Sequence, residues 1–152
     1  MELLDEDFAT KKLTCYRGIA RLPLDALGFR HSTVLDKHRE VSLENVRRLE
    51  RIYGQVGCLR LQDENVVNAI VEDDHLIAAL STHGISLDDM RNIRWPQEAP
   101  TLRLEKVYCL SGMHRIEAAR RFLDENDKWW TVRLFSYGKW QSISLLHALI
   151  RE

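Results

Sequence analysis

The sequence has no apolar run near the roughly 18–20 residues that a membrane-crossing helix needs. Its longest, Leu145-Leu146-His147-Ala148-Leu149-Ile150, is short and interrupted. It holds only three cysteines, Cys15, Cys58 and Cys109, far apart and odd in number. That excludes a disulfide scaffold and carries no metal-ligand spacing, so they are expected to be reduced, mostly buried thiols of an intracellular protein. There is no excess of positive charge: the formal net charge is −1, without the global basic field of many DNA-binding domains. Internal repeats and low-complexity stretches are absent. Met1 to Ala9 is acidic, which argues against a secretory or organellar presequence. The expected location is intracellular, nuclear or cytoplasmic, with no membrane partner.

What is present is 152 residues, 45% hydrophobic and 30% charged, the profile of one globular domain. A chain of this size buries roughly 68–70% of its unfolded surface and needs no staples. The cations are 16 Arg and 6 Lys. Arg is the better donor to planar and phosphate oxygens, although codon usage produces the same bias.

The elements follow from periodicity. Met1–Thr10 reads as a short helix or loose arm, and residues 1–13 as an N-terminal arm to a domain over 14–152. Thr14–Leu22 is expected as a strand stopped at Pro23, and Asp25–Arg39 as a connection. Ser42–Val56 is a helix capped by Ser42, with Val46, Leu49, Ile52, Tyr53 and Val56 on one buried face. Leu59–Leu61 and Val66–Val71 are extended. Asp73 or Asp74 caps a helix through Thr82, ended by Gly84. Ser86 and Asp89 have capping-box spacing before a short helix. Leu102–Leu110 is a strand. Met113–Leu123 is a helix burying Ile116, Ala119, Phe122 and Leu123. Trp129–Phe135 is a strand, and Trp140–Ile150 a last helix. The chain stops in that helix without a cap and so reads as an excerpt of a longer protein. Strands and helices mix without clean βαβ repetition, so the fold class is α+β or α/β.

One segment carries chemistry: Leu110-Ser111-Gly112-Met113-His114-Arg115-Ile116-Glu117-Ala118-Ala119-Arg120. A strand runs through Ser-Gly directly into a helix, whose first N–H groups lack internal partners and, with the dipole, form an anion site. Gly112 lets a phosphate approach the backbone. Ser111 offers a hydroxyl, and His114 and Arg115 add donors on the first turn. A plain strand-to-helix turn with a solvated Arg115 fits the same spacing equally well. The P-loop spacing and the dinucleotide fingerprint are both absent.

Gly112-x-His114-Arg115-x-x-Ala118-Ala119 resembles the Gly-x-x-Arg-x-x-Ala motif shared by the ParB N-terminal domain and sulfiredoxin. Asn45-Val46-Arg47-Arg48-Leu49-Glu50-Arg51-Ile52 is similar to the first conserved helix of that superfamily. The chain also resembles an uncharacterised fungal family with a ParB-like domain. That likeness rests on Tyr16-Arg17-Gly18-Ile19-Ala20-Arg21, Gly57-Cys58-Leu59-Arg60-Leu61, Cys109-Leu110-x-Gly112-x-His114-Arg115-Ile116 and Trp129-Trp130-x-Val132-x-Leu134.

The resemblance implies an α+β domain of the ParB/sulfiredoxin-like type, a small mixed sheet flanked by helices, with a nucleotide phosphate at the turn, held by Ser111, Gly112, Met113, His114 and Arg115. It implies Asn45 as a residue facing the nucleotide; Ser42 and Arg39 are further candidates because they lie nearby in sequence. The implied cofactors are CTP or ATP, with Mg, and the implied partners a nucleotide, DNA and a second copy in a homodimer. Met113 stands where sulfiredoxin has its catalytic Cys, and Met is no thiolate nucleophile. ParB has Glu there, and Met holds no Mg²⁺-bound water. Glu117, one helical turn on and on the same face, is the candidate catalytic acid; a solvated helix residue fits it too. The expected function is a nucleotide switch or slow NTPase in a DNA-associated protein. Alternatives are an ATP-dependent phosphotransferase on the same site and a degenerate scaffold that binds DNA or protein. A nuclease lacks a recognisable acidic or His cluster.

Other features have plainer readings. His31 and His38 with Cys58 lack metal spacing. Cys109 and His114 flank a sharp turn, with Cys109 directed into the sheet core. Of Trp129 and Trp130, one faces the core and the other is available to stack a base. Arg47, Arg48 and Arg51 with Arg60 make a local basic cluster, partly neutralised by Glu44 and Glu50, that serves as a solvated face or a DNA contact. His147 is an ordinary helix residue.

Overall fold

A computed structural model of the chain describes residues 13–29 and 41–141. The arm through Thr10, His31, His38, Arg39, His147 and the last helix beyond Gln141 lie outside them. The strands are β1 (Tyr16–Pro23), β2 (Leu27–Gly28), β3 (Val67–Val71), β4 (Val107–Cys109) and β5 (Trp129–Ser136). The α-helices are α1 (Leu43–Val56), α2 (Asp73–Ser81), α3 (Leu87–Arg91), α4 (Met113–Phe122) and α5 (Tyr137–Gln141). The strands form one mixed sheet in the order β1-β5-β3-β4-β2. β1 is antiparallel to β5 and β5 parallel to β3. β4 is antiparallel to β3 and parallel to β2. This is the expected mixed sheet flanked by helices.

β3 and β5 occupy the middle because both of their faces are apolar enough to be covered. Val67, Ala69, Val71, Trp130, Val132 and Leu134 point into the main core, with Val46 and Tyr53 of α1 and Ile116, Ala118 and Ala119 of α4. Ile70 and Phe135, on the other face, join Cys15 and Leu110 in a second, smaller cluster. Trp130 is fully buried and donates its indole N–H to the Asn65 carbonyl at 2.9 Å. β1 is bulged between Tyr16 and Gly18, an irregularity that gives Arg17 no facing partner and frees it to turn inward. Gly18 has φ +116, and a Cβ there would collide with the Met90 carbonyl, so α3 seats directly on the β1 backbone.

Several expectations are corrected. The connection after Asp25 contains a 3₁₀ turn, Leu24–Ala26, and the two-residue strand β2, too short to leave a periodic signal. The expected Leu102–Leu110 strand pairs only over Val107–Cys109. Leu102 instead donates its N–H to the Arg21 carbonyl along the outer edge of β1. The chain must then cross from one side of the sheet to the other, burying Leu104 on the way. Leu59–Leu61 is a turn, not a strand: Leu59 has φ +51, and its carbonyl accepts from Gln62 N–H and Asn65 Nδ2. On α1, Val46 and Tyr53 are buried and Leu49 packs on the core, while Ile52 and Val56 lie past the edge of that stripe and are exposed. Phe122 of α4 is likewise exposed. α2 begins after Glu72 with no side-chain cap, because Asp73 is engaged elsewhere. α5 begins at Tyr137, three residues before its expected start.

Ser42 and Ser86 cap α1 and α3 as expected, accepting from Asn45 N–H and Asp89 N–H. Gly18→Ala should destabilise the domain by about 3 kcal/mol or more, through positive φ together with backbone overlap. Gly84→Ala shares the positive φ but meets open space and should cost about 1–2 kcal/mol. Urea unfolding of both variants checks this, and equal losses would show that α3 is not seated on Gly18.

Candidate functional site

β4 runs antiparallel to β3, so its carboxyl end lies beside the start of β3. Leu110 donates its N–H to the Asn68 carbonyl at 2.7 Å, and Ser111 Oγ accepts from Asn68 N–H at 3.5 Å. Gly112 follows at φ +83, ψ +18, the left-handed region. A Cβ there would stand 2.6 Å from Val67 Cγ2. Rotation and clearance both demand glycine, and the turn requires it whether or not an anion binds.

Gly112 is the N-cap of α4 and supplies no side-chain acceptor, and no acidic residue lies in the first turn. The opening N–H groups of α4 therefore lack the partner that Ser42 and Ser86 give to α1 and α3. Two cross-links draw α1 alongside. Ser42 N–H donates to His114 Nε2 at 2.9 Å. Tyr53 O–H donates to the Arg115 carbonyl at 3.2 Å, and its ring meets Phe122 edge-on at 5.9 Å. The N-termini of α1 and α4 thus lie together, with the positive ends of both dipoles converging.

Burial pushes the Tyr53 phenol up to about 12, and the neighbouring Arg115 guanidinium pulls against that rise. Arg115 is half-buried and, among the described residues, its guanidinium has no ion-pair partner. Met113 is the half-buried first residue of α4, and Asn45 is exposed in the first turn of α1. Ser42, Asn45, Ser111, Gly112, Met113, His114 and Arg115 are therefore grouped on the two helix starts and the turn between β4 and α4.

Glu117 is held by Arg120 at 3.2 Å and Arg121 at 4.0 Å. Arg120 also donates to the Leu27 and Leu24 carbonyls at 2.8 and 3.4 Å, so the carboxylate orients a clamp between α4 and the β2 segment. Among the described residues, no three His, Cys, Asp or Glu side chains group to hold a metal.

Tyr53 was legible as a core position; its hydroxyl role was not. The available signal was chemical: a Tyr on a buried helix face needs an acceptor. A second polar cluster left no sequence signal. Arg17, 7% exposed, donates to Asp73 Oδ1 at 3.0 Å and to the Thr14 and Tyr16 carbonyls. Ser136 donates to Asp73 Oδ2 at 2.9 Å. Burial alone would raise the Asp73 carboxyl, but the hydrogen bonds from Arg17 and Ser136 and the charges of Arg17 and Lys139 outweigh it and hold the group below its ordinary value.

Arg60 does not extend the α1 basic cluster. It turns to Asp127 at 2.8 Å and lies over the Trp129 ring, 3.6 Å from the centroid. Trp129 also gives its indole N–H to Asp127, so it is engaged rather than an open platform. Arg47, Arg48 and Arg51 are exposed on α1. Cys15 and Cys109 are buried, Cys58 is half-buried, and none is in a disulfide. Burial raises the Cys109 thiol far above its ordinary range.

Residues 15–152 match the N-terminal domain of a family described as Protein of unknown function (DUF3723), and the chain belongs to that family. No curated protein and no solved structure matches it. Among the described residues, no helix is long and apolar enough to cross a membrane.

The folded state holds Asp73 below its unfolded value, so its contribution to stability is present above the unfolded carboxyl pKa. It is lost as pH falls through the folded value. Asp73→Asn should therefore be clearly destabilising at about pH 6, with the gap to wild type narrowing below about pH 3. Urea midpoints at the two pH values measure this, and a gap independent of pH would refute the assignment.

Proposed function

We propose that this is a nucleotide-binding domain of the ParB/sulfiredoxin-like type, taking CTP or ATP with Mg²⁺ and acting as a switch in a DNA-associated protein. The reading is carried by one observation: two helix N-termini converge at a left-handed glycine, and one of them has no cap. Convergent dipoles and amides without a side-chain cap favour a bound anion. Arg115, without an ion-pair partner among the described residues, supplies a fork for two phosphate oxygens. The amides of Met113, His114 and Arg115 would take the phosphate, and Ser111 and Asn45 would orient it.

The donor set fits a phosphate better than a protein-held metal. With no acidic or His cluster among the described residues, a Mg²⁺ ion would arrive on the phosphate oxygens and keep its waters. The engagement of Glu117 by two arginines favours binding over hydrolysis, so the switch is preferred to the slow NTPase and to the phosphotransferase.

Thermal unfolding with CTP, ATP, GTP and UTP, each with and without Mg²⁺, tests this. A ligand at about 100 times its dissociation constant adds roughly 2.7 kcal/mol, a rise of about 5–11 °C in this size range. We expect the rise with one nucleotide and its loss in Arg115→Ala. No rise with any of the four at millimolar concentration would remove the reading.

A further inference from the structure

α1 and α4 hold six arginines against three glutamates. The chain as a whole carries a net charge of −1, so the rest of it sets 16 cations against 20 acids. Positive charge is thus gathered on the helix pair that packs over the main core, in a protein that is otherwise acidic.

Within that pair the arginines divide. Arg120 and Arg121 are held by Glu117. Arg47, Arg48 and Arg51 of α1 are exposed, and among the described residues none of them has an ion-pair or hydrogen-bond partner. Glu44 and Glu50, on the same helix, pair with none of the three. Like charges three and four residues apart destabilise a helix, so Arg51 opposes both Arg48 and Arg47 without local relief. α1 tolerates this because Val46 and Tyr53 are buried on its other side and Ser42 caps it. An external polyanion would remove the repulsion.

The face selects the kind of polyanion. Guanidinium forks match phosphate oxygens, and three of them within little more than a turn suit a chain of phosphates rather than one. Consecutive helix positions diverge by about 100°, so Arg47 and Arg48 point to either side of the exposed arc, with Arg51 between them. Tyr53, the only aromatic of α1, is buried, which leaves this helix no exposed ring on which an unpaired base could stack. The major groove of B-form DNA admits an α-helix, whereas that of A-form RNA is too deep and narrow for side chains to read. The exposed apolar residues Ile52 and Val56 lie at one margin of the arc and not at its centre, where insertion into a bilayer would need them.

We propose that the exposed face of α1 is a docking surface for duplex DNA, with Arg47, Arg48 and Arg51 each engaging a backbone phosphate. The contact is independent of base sequence and of the nucleotide site, since no residue of the Ser111–Arg115 turn takes part.

Fluorescence anisotropy with a mixed-sequence duplex of about 20 base pairs, followed from about 50 to 200 mM salt, tests this. Three phosphate contacts give a slope of log affinity against log salt of about −2.7, so affinity should fall about 40-fold over that range. Arg47→Ala, Arg48→Ala and Arg51→Ala should each reduce the slope by about 1, and the triple variant should lose the duplex. Alanine is the strongest helix former, so these exposed positions should accept it without unfolding. Arg94→Ala, which removes an exposed arginine from the loop after α3, should leave the slope unchanged. No binding to the duplex at about 50 mM salt overturns the proposal. An equal loss of slope in Arg94→Ala, or the wild-type slope in the triple variant, does the same. Preference for phosphatidylserine vesicles or duplex RNA over the DNA assigns the face to another partner and overturns it as well. The nucleotide reading rests on Arg115 and the thermal shift, so the two fail separately.

Discussion

The approach of Gly112 to Val67 governs the geometry of the whole helical layer. Because no Cβ intervenes, the turn after β4 can lie flat on the start of β3, pinned by Leu110 N–H on the Asn68 carbonyl. That contact fixes where α4 begins and in which direction it leaves the sheet. α4 in turn fixes α1 through His114 and the Arg115 carbonyl. The small residues Ala118 and Ala119, both fully buried, let α4 settle against its neighbours. A larger residue at position 112 would displace the turn, and with it the register of both helices.

Four of the arginines have a structural use. Arg17, Arg60 and Arg120 each combine a carboxylate with one or more backbone carbonyls, and Arg133 joins Asp63 and Asn68 across two elements. A planar fork with several donors can satisfy orphan carbonyls and an acid together, which a lysine point charge cannot. Arg115 differs from these in having no ion-pair partner among the described residues, and from Arg47, Arg48 and Arg51 in being half-buried.

Local signals were readable where the chain makes its own partners. The Ser42 and Ser86 caps, the apolar run of β3 and the core stripe of α4 all depend on residues a few positions apart. The strand–Ser–Gly–helix order of the candidate site was readable for the same reason. What escaped was decided at long range. Leu27–Gly28 becomes a strand only because Val107–Tyr108 lies beside it. Leu102 leaves its expected strand because Arg21 offers a better-placed carbonyl. Asp73 gives up capping for Arg17 and Ser136, and Arg60 leaves its basic neighbours for Trp129. No local pattern encodes partners more than fifty positions away.

The strip formed by Pro100, Thr101 and Leu102 along β1 has a further consequence. It occupies Arg21 N–H and C=O, which an incoming strand would otherwise use. At the opposite margin β2 offers only two residues, too short a template for stable pairing. The domain is thereby protected against growing into a continuous β-ribbon with its own copies. Any assembly that does form has to be read through side-chain recognition on helix and loop surfaces, where single substitutions can tune it.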